Sequence, residues 1–197
     1  RAGNYEAAPA VADARHCYDP SGPSSTVDVS GAYWRNTATL AATATASAAL
    51  SPITSVELWY RFSADNATFG AWTFHGTDSG APWSWSFAWP EGRGYYEFYS
   101  RAWDGGGLYE DAPPSADAPY AFDDLPPSSA VIQTSAYWHN YQPVPVTVTA
   151  NDTLSGVASV ELWYRFSSDN VSWGGWVLFG ADDSSPFSFS FGWPSGE

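Results

Sequence analysis

The sequence repeats itself at an offset of 104 residues, and this internal repeat constrains the fold more than any other feature. The stretch Val56–Ser63 (VELWYRFS) returns unchanged as Val160–Ser167. Across the longer windows Val56–Gly92 and Val160–Gly196, 21 of 37 positions are identical without a gap. Identity of this kind over a full module length indicates duplication, so we expect two copies of one small module rather than one large domain.

The repeat also predicts where the modules begin and end. Residues 20–124 carry one nearly complete module, and residues 125–197 carry a second copy that lacks its last strands. The counterpart of Gly94–Asp104 would come after Glu197. Residues 1–19 match the register of the segment that follows Asp104, so we interpret them as the final strand of a preceding or complementing module.

Within each copy the apolar residues alternate with a period of two. This alternation is clear in Val56–Ser63, Trp83–Trp89 and Tyr95–Ala102, and clusters of Gly, Pro, Asn and Asp separate the runs. No amphipathic helical pattern is present. The sequence therefore predicts an all-β fold of two-sheet antiparallel sandwiches with about seven strands per module. The residues expected to pack the core are Val56, Leu58, Tyr60, Phe62, Trp85, Phe87, Tyr96 and Phe98.

Two groups of motifs resemble known repeats. The segment Trp89–Phe98 (WPEGRGYYEF) resembles the loop and penultimate strand of fibronectin type III and related immunoglobulin-like modules, and this implies that Tyr95 or Tyr96 hydrogen-bonds back to the loop backbone. The turn at Asp104–Gly107, followed by Tyr-Glu, resembles prokaryotic surface immunoglobulin-like repeats. The block LWYRFS, followed by Asp-Asn, resembles repeats in archaeal cell-surface proteins. The resemblance implies an immunoglobulin-like fold at a cell surface, held together without paired cysteines.

The second copy is expected to be incomplete. Without two final strands, it should expose the large apolar residues Val160, Leu162, Phe187, Phe189 and Trp193, each at roughly 1.5–3 kcal/mol. Two explanations remain open: the segment belongs to a longer protein, or a neighbouring molecule supplies the missing pairing. Donation of residues 1–19 from one copy to the next would add a strand head-to-tail and generate a filament.

The composition excludes several classes of partner. The chain has 21 acidic residues, seven Arg and no Lys, and its formal net charge is −14. Such a field repels nucleic acid and anionic lipid. No apolar run approaches the roughly 18 residues of a membrane span, so no membrane insertion is expected for this segment. The single cysteine, Cys17, is either a free thiol or half of an intermolecular disulfide.

No catalytic constellation is recognised. The three His residues have no metal-ligand spacing, and neither a nucleophile elbow nor a phosphate-binding loop is present, so we expect no enzymatic role. No cofactor is expected except, as a weaker alternative, calcium, because carboxylates cluster at the turns. The calcium candidates are Asp65, Asp78, Asp104 and Glu110, and the competing interpretation is that Asp stabilises turns.

Asparagine sequons and tryptophans provide the other candidate sites. Asn66, Asn151 and Asn170 begin Asn-x-Ser/Thr sequons in predicted loops or at strand ends, where an N-linked glycan could be attached. Trp59 and its counterpart Trp163 lie on the predicted outer face, and Trp103 ends an outward row. Exposed aromatic rings of this kind could stack on sugars, although tryptophan is buried on average.

Together these observations favour a structural repeat of an extracellular or cell-surface protein, such as a stalk, sheath or filament. Its expected partners are other copies of the same protein, either head-to-tail or as further modules of one chain. Two alternatives remain: a carbohydrate-binding or adhesive module that uses exposed tryptophans, and a spacer appended to an enzyme encoded outside this segment.

Overall fold

A computed structural model describes residues 11, 14–28, 30–133 and 137–193. These residues form β-strands, turns and loops without any helix, and the longer strands pair antiparallel, so the all-β prediction is confirmed. No helix in the described part of the chain is long and apolar enough to cross a membrane. The described residues divide into two compact units. The first extends to Phe122, and the second begins at Asp123 and includes the short segment 34–36.

The first unit is a sandwich of two sheets. Its strands are β1 (Ser24–Val27), β3 (Leu40–Ser47), β4 (Ile53–Ser63), β5 (Thr73–Asp78), β6 (Trp83–Phe87), β7 (Gly94–Asp104) and β8 (Ala118–Phe122). The two-residue strand β2 (Trp34–Arg35) lies in the segment 34–36 named above. One sheet has the order β1-β3-β6, and the other has the order β2-β8-β7-β4-β5. A sandwich with β1, β3 and β6 in one sheet and β4, β5, β7 and β8 in the other has the arrangement of immunoglobulin-like sandwiches.

Alternating residues of both sheets meet in one core. Phe87 of β6 is fully buried and touches Tyr60 of β4 and Phe98 of β7, each with a ring-centroid distance of 4.9 Å. Alternation puts every second side chain of a strand on the inner face, and aromatic rings fill the space between the sheets. The predicted packing residues are buried as expected, except that Phe62 is only partly buried against the cluster.

A tyrosine holds the loop before β7. The hydroxyl of Tyr96 donates a hydrogen bond of 2.7 Å to the carbonyl oxygen of Gly92. The resemblance to fibronectin type III modules left Tyr95 and Tyr96 as alternatives, and the structure assigns the role to Tyr96, whose side chain faces the core. Burial raises the pKa of Tyr96, so its hydroxyl keeps its proton and remains a donor at neutral pH.

Two carboxylates join the sheets where the ladder between β7 and β8 has ended. Asp117 Oδ2 accepts hydrogen bonds from the backbone N–H of Val27 in β1 and of Ser100 in β7, both at 3.0 Å. Glu110 Oε2 accepts one from the Ser25 hydroxyl of β1 at 2.6 Å and one from the backbone N–H of Ala102 in β7 at 3.1 Å. Burial raises the pKa of Asp117, so folding favours its protonated form and its ionisation at neutral pH opposes stability.

The second unit is built from five described strands: β9 (Ser128–Ile132), β10 (Val144–Asn151), β11 (Val160–Tyr164), β12 (Val177–Asp182) and β13 (Ser188–Phe191). One sheet has the order β13-β10-β9, and β11 pairs with β12. The pairing of β11 with β12 repeats that of β4 with β5, including the register shift after Leu58 and Leu162. The same sequence block therefore forms the same local structure twice.

The prediction that the second core would be exposed is wrong for four of its five residues. Val160, Leu162, Phe187 and Phe189 are at most 9% exposed, because β13 pairs with β10 and the rings of β13 pack against β11. The five described strands are therefore enough to bury these four side chains between them. Trp193, by contrast, is 53% exposed, as predicted.

The prediction that residues 1–19 form a final strand falls mostly outside the described residues. Residues 14–19 are described and form no strand. Asp19 is tied to the first unit, because its carboxylate accepts hydrogen bonds from the backbone N–H and the hydroxyl of Ser51 at 2.8 and 2.9 Å. The strand assignment stays a prediction.

Candidate functional site

The candidate functional site is the free edge of β11, which we call the open β11 edge. In the first unit, β4 lies between β5 and β7 and pairs with both. In the second unit, β11 pairs with β12, and no other described strand is hydrogen-bonded to it. A strand edge with unpaired N–H and C=O groups is a template for a further strand.

The length of β11 reflects this difference. β4 has 11 residues and β11 has five, although the two segments share the block VELWYRFS. The counterparts of Arg61, Phe62 and Ser63, which pair with β7, lie beyond the end of β11. At this end the local sequence is identical while the strand length differs, so the partner strand, and not β-propensity, extends β4 there.

The outer face of the first unit is filled by stacked aromatic rings. Trp59 of β4 stacks on Tyr99 of β7, with a centroid distance of 6.0 Å and an interplanar angle of 10°, and Phe74 meets it edge-on at 5.3 Å. Trp72 meets Tyr99 edge-on, with a centroid distance of 4.4 Å. Tyr99 is not part of the inner core cluster, but it is only 4% exposed because these rings cover it.

In each unit an arginine contacts two aromatic rings. The guanidinium of Arg61 lies 5.1 Å from the Phe69 ring centroid and 4.6 Å from that of Trp72. Its Nε donates a hydrogen bond of 2.6 Å to Glu97 Oε2 of β7. Arg165 repeats the ring contacts with Trp173 and Trp176, both at 4.9 Å. Arg61 thus links β4 to β7 through its ion pair, and it links β4 to the loop before β5 through its cation–π contacts. No motif in the sequence had singled out either arginine.

The corresponding groups of the second unit are exposed where β7 would cover them. Trp163 and Phe166 are 47% and 42% exposed. Trp193 is 53% exposed, whereas its counterpart Trp89 is 3% exposed. Trp89 is covered by Phe122 of β8, which stacks on it at 5.0 Å, and by Tyr96 of β7. The exposed rings therefore mark the places that β7 and β8 occupy in the first unit.

The four calcium candidates serve local hydrogen bonding in separate places. Asp65 and Asp78 each accept two backbone N–H groups in their own turns. Asp104 Oδ1 accepts the backbone N–H groups of residues 106 and 108, and Glu110 binds the end of β7. Within the described residues, no three His, Cys, Asp or Glu side chains are grouped as metal ligands. These hydrogen bonds fit the competing interpretation that Asp stabilises turns, and calcium binding at these residues stays a prediction.

The turn carboxylates make stability depend on pH. The hydrogen bond from the Thr68 backbone, together with that from Ala67, lowers the pKa of Asp65 to about 2. Backbone hydrogen bonds from Ser172 and its neighbour lower the pKa of Asp169 to about 2 in the same way. Because the folded-state pKa lies below the unfolded value of about 3.9, their contribution is present above about pH 4 and is lost as the pH falls towards about 2.

The substitution Asp65→Asn tests this dependence. Asparagine keeps an acceptor oxygen but has no charge to lose, so we expect the variant to melt at a lower temperature than the wild type at pH 7 and at the same temperature near pH 2. Thermal unfolding followed by circular dichroism between pH 2 and pH 7 measures the difference. A difference in melting temperature that is constant over the whole range would contradict the assignment.

The remaining candidates lie at the surface or among other rings. Of the three proposed sugar-stacking tryptophans, Trp59 and Trp103 are partly covered, the latter by Tyr109 at a centroid distance of 5.0 Å, and Trp163 is the most exposed. The sequon residues Asn66, Asn151 and Asn170 are all exposed. Cys17 is an exposed free thiol. Sugar stacking, glycosylation and an intermolecular disulfide at Cys17 all stay predictions.

Comparisons with known proteins show no family for this chain. No family model matches the chain, and no curated protein sequence matches it. Among solved structures, the chain is similar to the fibronectin(III)-like modules of CbhA from Clostridium thermocellum, with 16% identity and a TM-score of 0.43 over 85% of this chain and 78% of that one. The sheet order, the shared core and the Tyr96 hydrogen bond together make the first unit an all-β, immunoglobulin-like sandwich.

Proposed function

We propose that this chain is a structural repeat of an extracellular or cell-surface protein and that it acts in a stalk, sheath or filament. The observation that carries the proposal is the open β11 edge in a unit that otherwise repeats the first one. A duplicated sandwich in which β11 has one free edge is suited to being joined to further β-structure. Its work would be mechanical, performed by strand ladders and aromatic cores.

The chemistry of the first unit supports a structural role. Its polar groups are used to hold the sandwich together: Asp117 and Glu110 join the sheets, Asp65 holds a turn, and Arg61 links β4 to β7. A carboxylate or arginine engaged in this way is not free to act on a substrate. The proposed role is therefore non-enzymatic, in line with the absence of catalytic motifs from the sequence.

Assembly would follow from the same edge. A strand added to β11 would come from a further module of the same polypeptide or from another copy of the protein, and in the second case a head-to-tail contact would build a filament. The net charge of −14 would keep assembled chains apart laterally, because like charges repel wherever no specific contact is made.

The proposal predicts where the native protein is found. Antibodies raised against this chain should label intact, unpermeabilised cells or material released from them. In glycopeptide mass spectrometry of the same native material, we expect added sugar on at least one of the exposed sequon residues Asn66, Asn151 and Asn170. Asn36, which is exposed but begins no sequon, is the internal control and should be unmodified. Labelling that requires permeabilised cells would rule out the extracellular role.

A further inference from the structure

The first unit contains the strand that β11 lacks. There β7 runs antiparallel to β4, with Val56 opposite Ala102, Leu58 opposite Ser100 and continuous pairing from Ser55 to Ser63. The 104-residue offset carries Val56, Leu58 and Tyr60 onto the β11 residues 160, 162 and 164. The structure of one unit can therefore be used to specify the partner of the other.

We propose that the open β11 edge binds, antiparallel, an extended segment of the β7 sequence type, with the alternating pattern of Gly94–Asp104 (GYYEFYSRAWD). In the inferred register Leu162 lies opposite a serine, Trp163 opposite a tyrosine and Arg165 opposite a glutamate. The proposal deepens the proposed function, on which it rests, by naming the chemistry of the strand that would complete the second unit.

The partner's inward positions opposite Leu162 and Val160 require small residues. Ser100 and Ala102 are both fully buried in the first unit, opposite the fully buried Leu58 and Val56. The corresponding Leu162 and Val160 belong to a core that already holds Phe187, Phe189 and Phe191. Small side chains fit beside such a core, whereas a large one would overpack it.

The partner's outward position opposite Trp163 requires an aromatic ring. The face of Trp59 lies parallel to the ring of Tyr99. Trp163 keeps its other local contact, since its indole N–H donates to Glu161 at 2.9 Å as Trp59 donates to Glu57, yet it is 47% exposed. A tyrosine in the β7 position would stack on the exposed indole and remove apolar surface from water.

Charge complementarity selects the next residue. Glu97 of β7 pairs with Arg61, and the two lie opposite each other in the ladder. Arg165 repeats the two ring contacts of Arg61, but in the described part of the chain no carboxylate forms an ion pair with it. A glutamate opposite Arg165 would restore the missing pair, and a basic residue there would be repelled.

Pairing between two β11 edges fits less well. An antiparallel two-fold arrangement centred on Leu162 would place Trp163 opposite Glu161 and Arg165 opposite Ser159. It would reproduce neither the ring stack nor the ion pair of the first unit. A sugar on Trp163 would likewise leave the backbone groups of β11 without partners. The β7-type strand is the occupant that satisfies the backbone, the ring and the charge together.

The test is a titration of the whole 197-residue chain with the blocked peptide GYYEFYSRAWD. With the chain labelled with ¹⁵N, we expect the amide signals of Val160–Tyr164 to shift on addition of peptide and to become protected from hydrogen exchange. The affinity is measured by calorimetry. A scrambled peptide of the same composition, which lacks the alternation, is expected to bind at least tenfold more weakly, because its apolar and polar residues no longer match the two faces of β11.

A charge swap tests the register. The peptide variant Glu97→Arg is expected to lose about tenfold in affinity for the wild-type chain and to recover most of it with the chain variant Arg165→Glu. The matched chain variant Arg15→Glu, which makes the same charge change at an exposed residue outside the strands, should bind the wild-type peptide as the unaltered chain does. Because Arg165 is exposed, its substitution is not expected to prevent folding, and the dispersion of the amide signals checks this.

Four outcomes would overturn the proposal. These are the absence of binding, equal binding of the scrambled peptide, a charge swap without recovery, and concentration-dependent dimers whose contact maps to β11 and resists the peptide. If any of these outcomes is found and intact cells are labelled, the proposed role at the cell surface stands and only the proposed β7-type partner of β11 is wrong. Binding of the peptide by a protein found inside cells would support the β7-type strand as the partner of β11 and rule out the extracellular role.

Discussion

Replacing Phe87 by alanine should lower the free energy of unfolding of the first unit by about 3–5 kcal/mol, the range for deleting a buried phenylalanine ring. Phe87 is fully buried and touches rings from three neighbouring strands: Tyr60, His75 and Phe98 all lie within 5.0 Å, measured between ring centroids. Removing it leaves a cavity between the two sheets that rigidly paired strands cannot close.

Urea unfolding followed by tryptophan fluorescence measures the loss. The matched variant is Phe191→Ala at the equivalent position of the second unit, where the ring is 8% exposed. It should shift the unfolding of the second unit and leave that of the first unchanged. A loss below about 1 kcal/mol for Phe87→Ala would mean that this ring does not hold the two sheets together.

Replacing Gly94 by alanine should destabilise the first unit by about 3–4 kcal/mol, through steric overlap and backbone strain together. An added Cβ would lie 2.5 Å from Phe62 Cε2 and 2.9 Å from the backbone oxygen of Ser63. The φ of Gly94 is +147°, a conformation that residues with a side chain rarely adopt. The start of β7 must therefore shift away from β4, against the ladder that holds both strands.

The neighbouring glycine provides the control. Gly92 also has a positive φ, +79°, but a Cβ there would meet no atom within 4 Å. Gly92→Ala should therefore cost about 1 kcal/mol, from backbone strain alone. Chemical denaturation of the two variants and the wild type compares them directly. Equal losses for the two variants would show that backbone strain, and not the contact with Phe62, makes glycine necessary at position 94.

Much of the fold could be predicted because its signals are local. Alternation in Trp83–Trp89 identifies the side of β6 that is buried, and the order of polar and apolar residues in β4 does the same. The Trp-Pro-x-Gly segment before β7 indicated a tyrosine that hydrogen-bonds back to the loop, but two adjacent tyrosines, Tyr95 and Tyr96, could each have this role. Only the direction of each side chain relative to the core could decide for Tyr96.

The candidate site was less accessible from sequence. The lack of a β7 counterpart was visible in the repeat, but the prediction that the second core would lie open assumed that each sheet needs all its strands. In the structure β13 and β10 cover Val160 and Leu162 from one side. What stays exposed on the outer face is Trp163, because its counterpart Trp59 is stacked there on Tyr99 of β7.

The sequence by itself determined the strands, the duplication and the inner face of each sheet, because side-chain alternation and turn residues act over a few neighbouring positions. Only the tertiary structure decided the rest. Tyr99 is buried although it points away from the core, because Trp59 and Trp72 fold over it from other parts of the chain. β4 is long and β11 short although their sequences agree. Contacts between distant residues decide such features, and no local pattern encodes them.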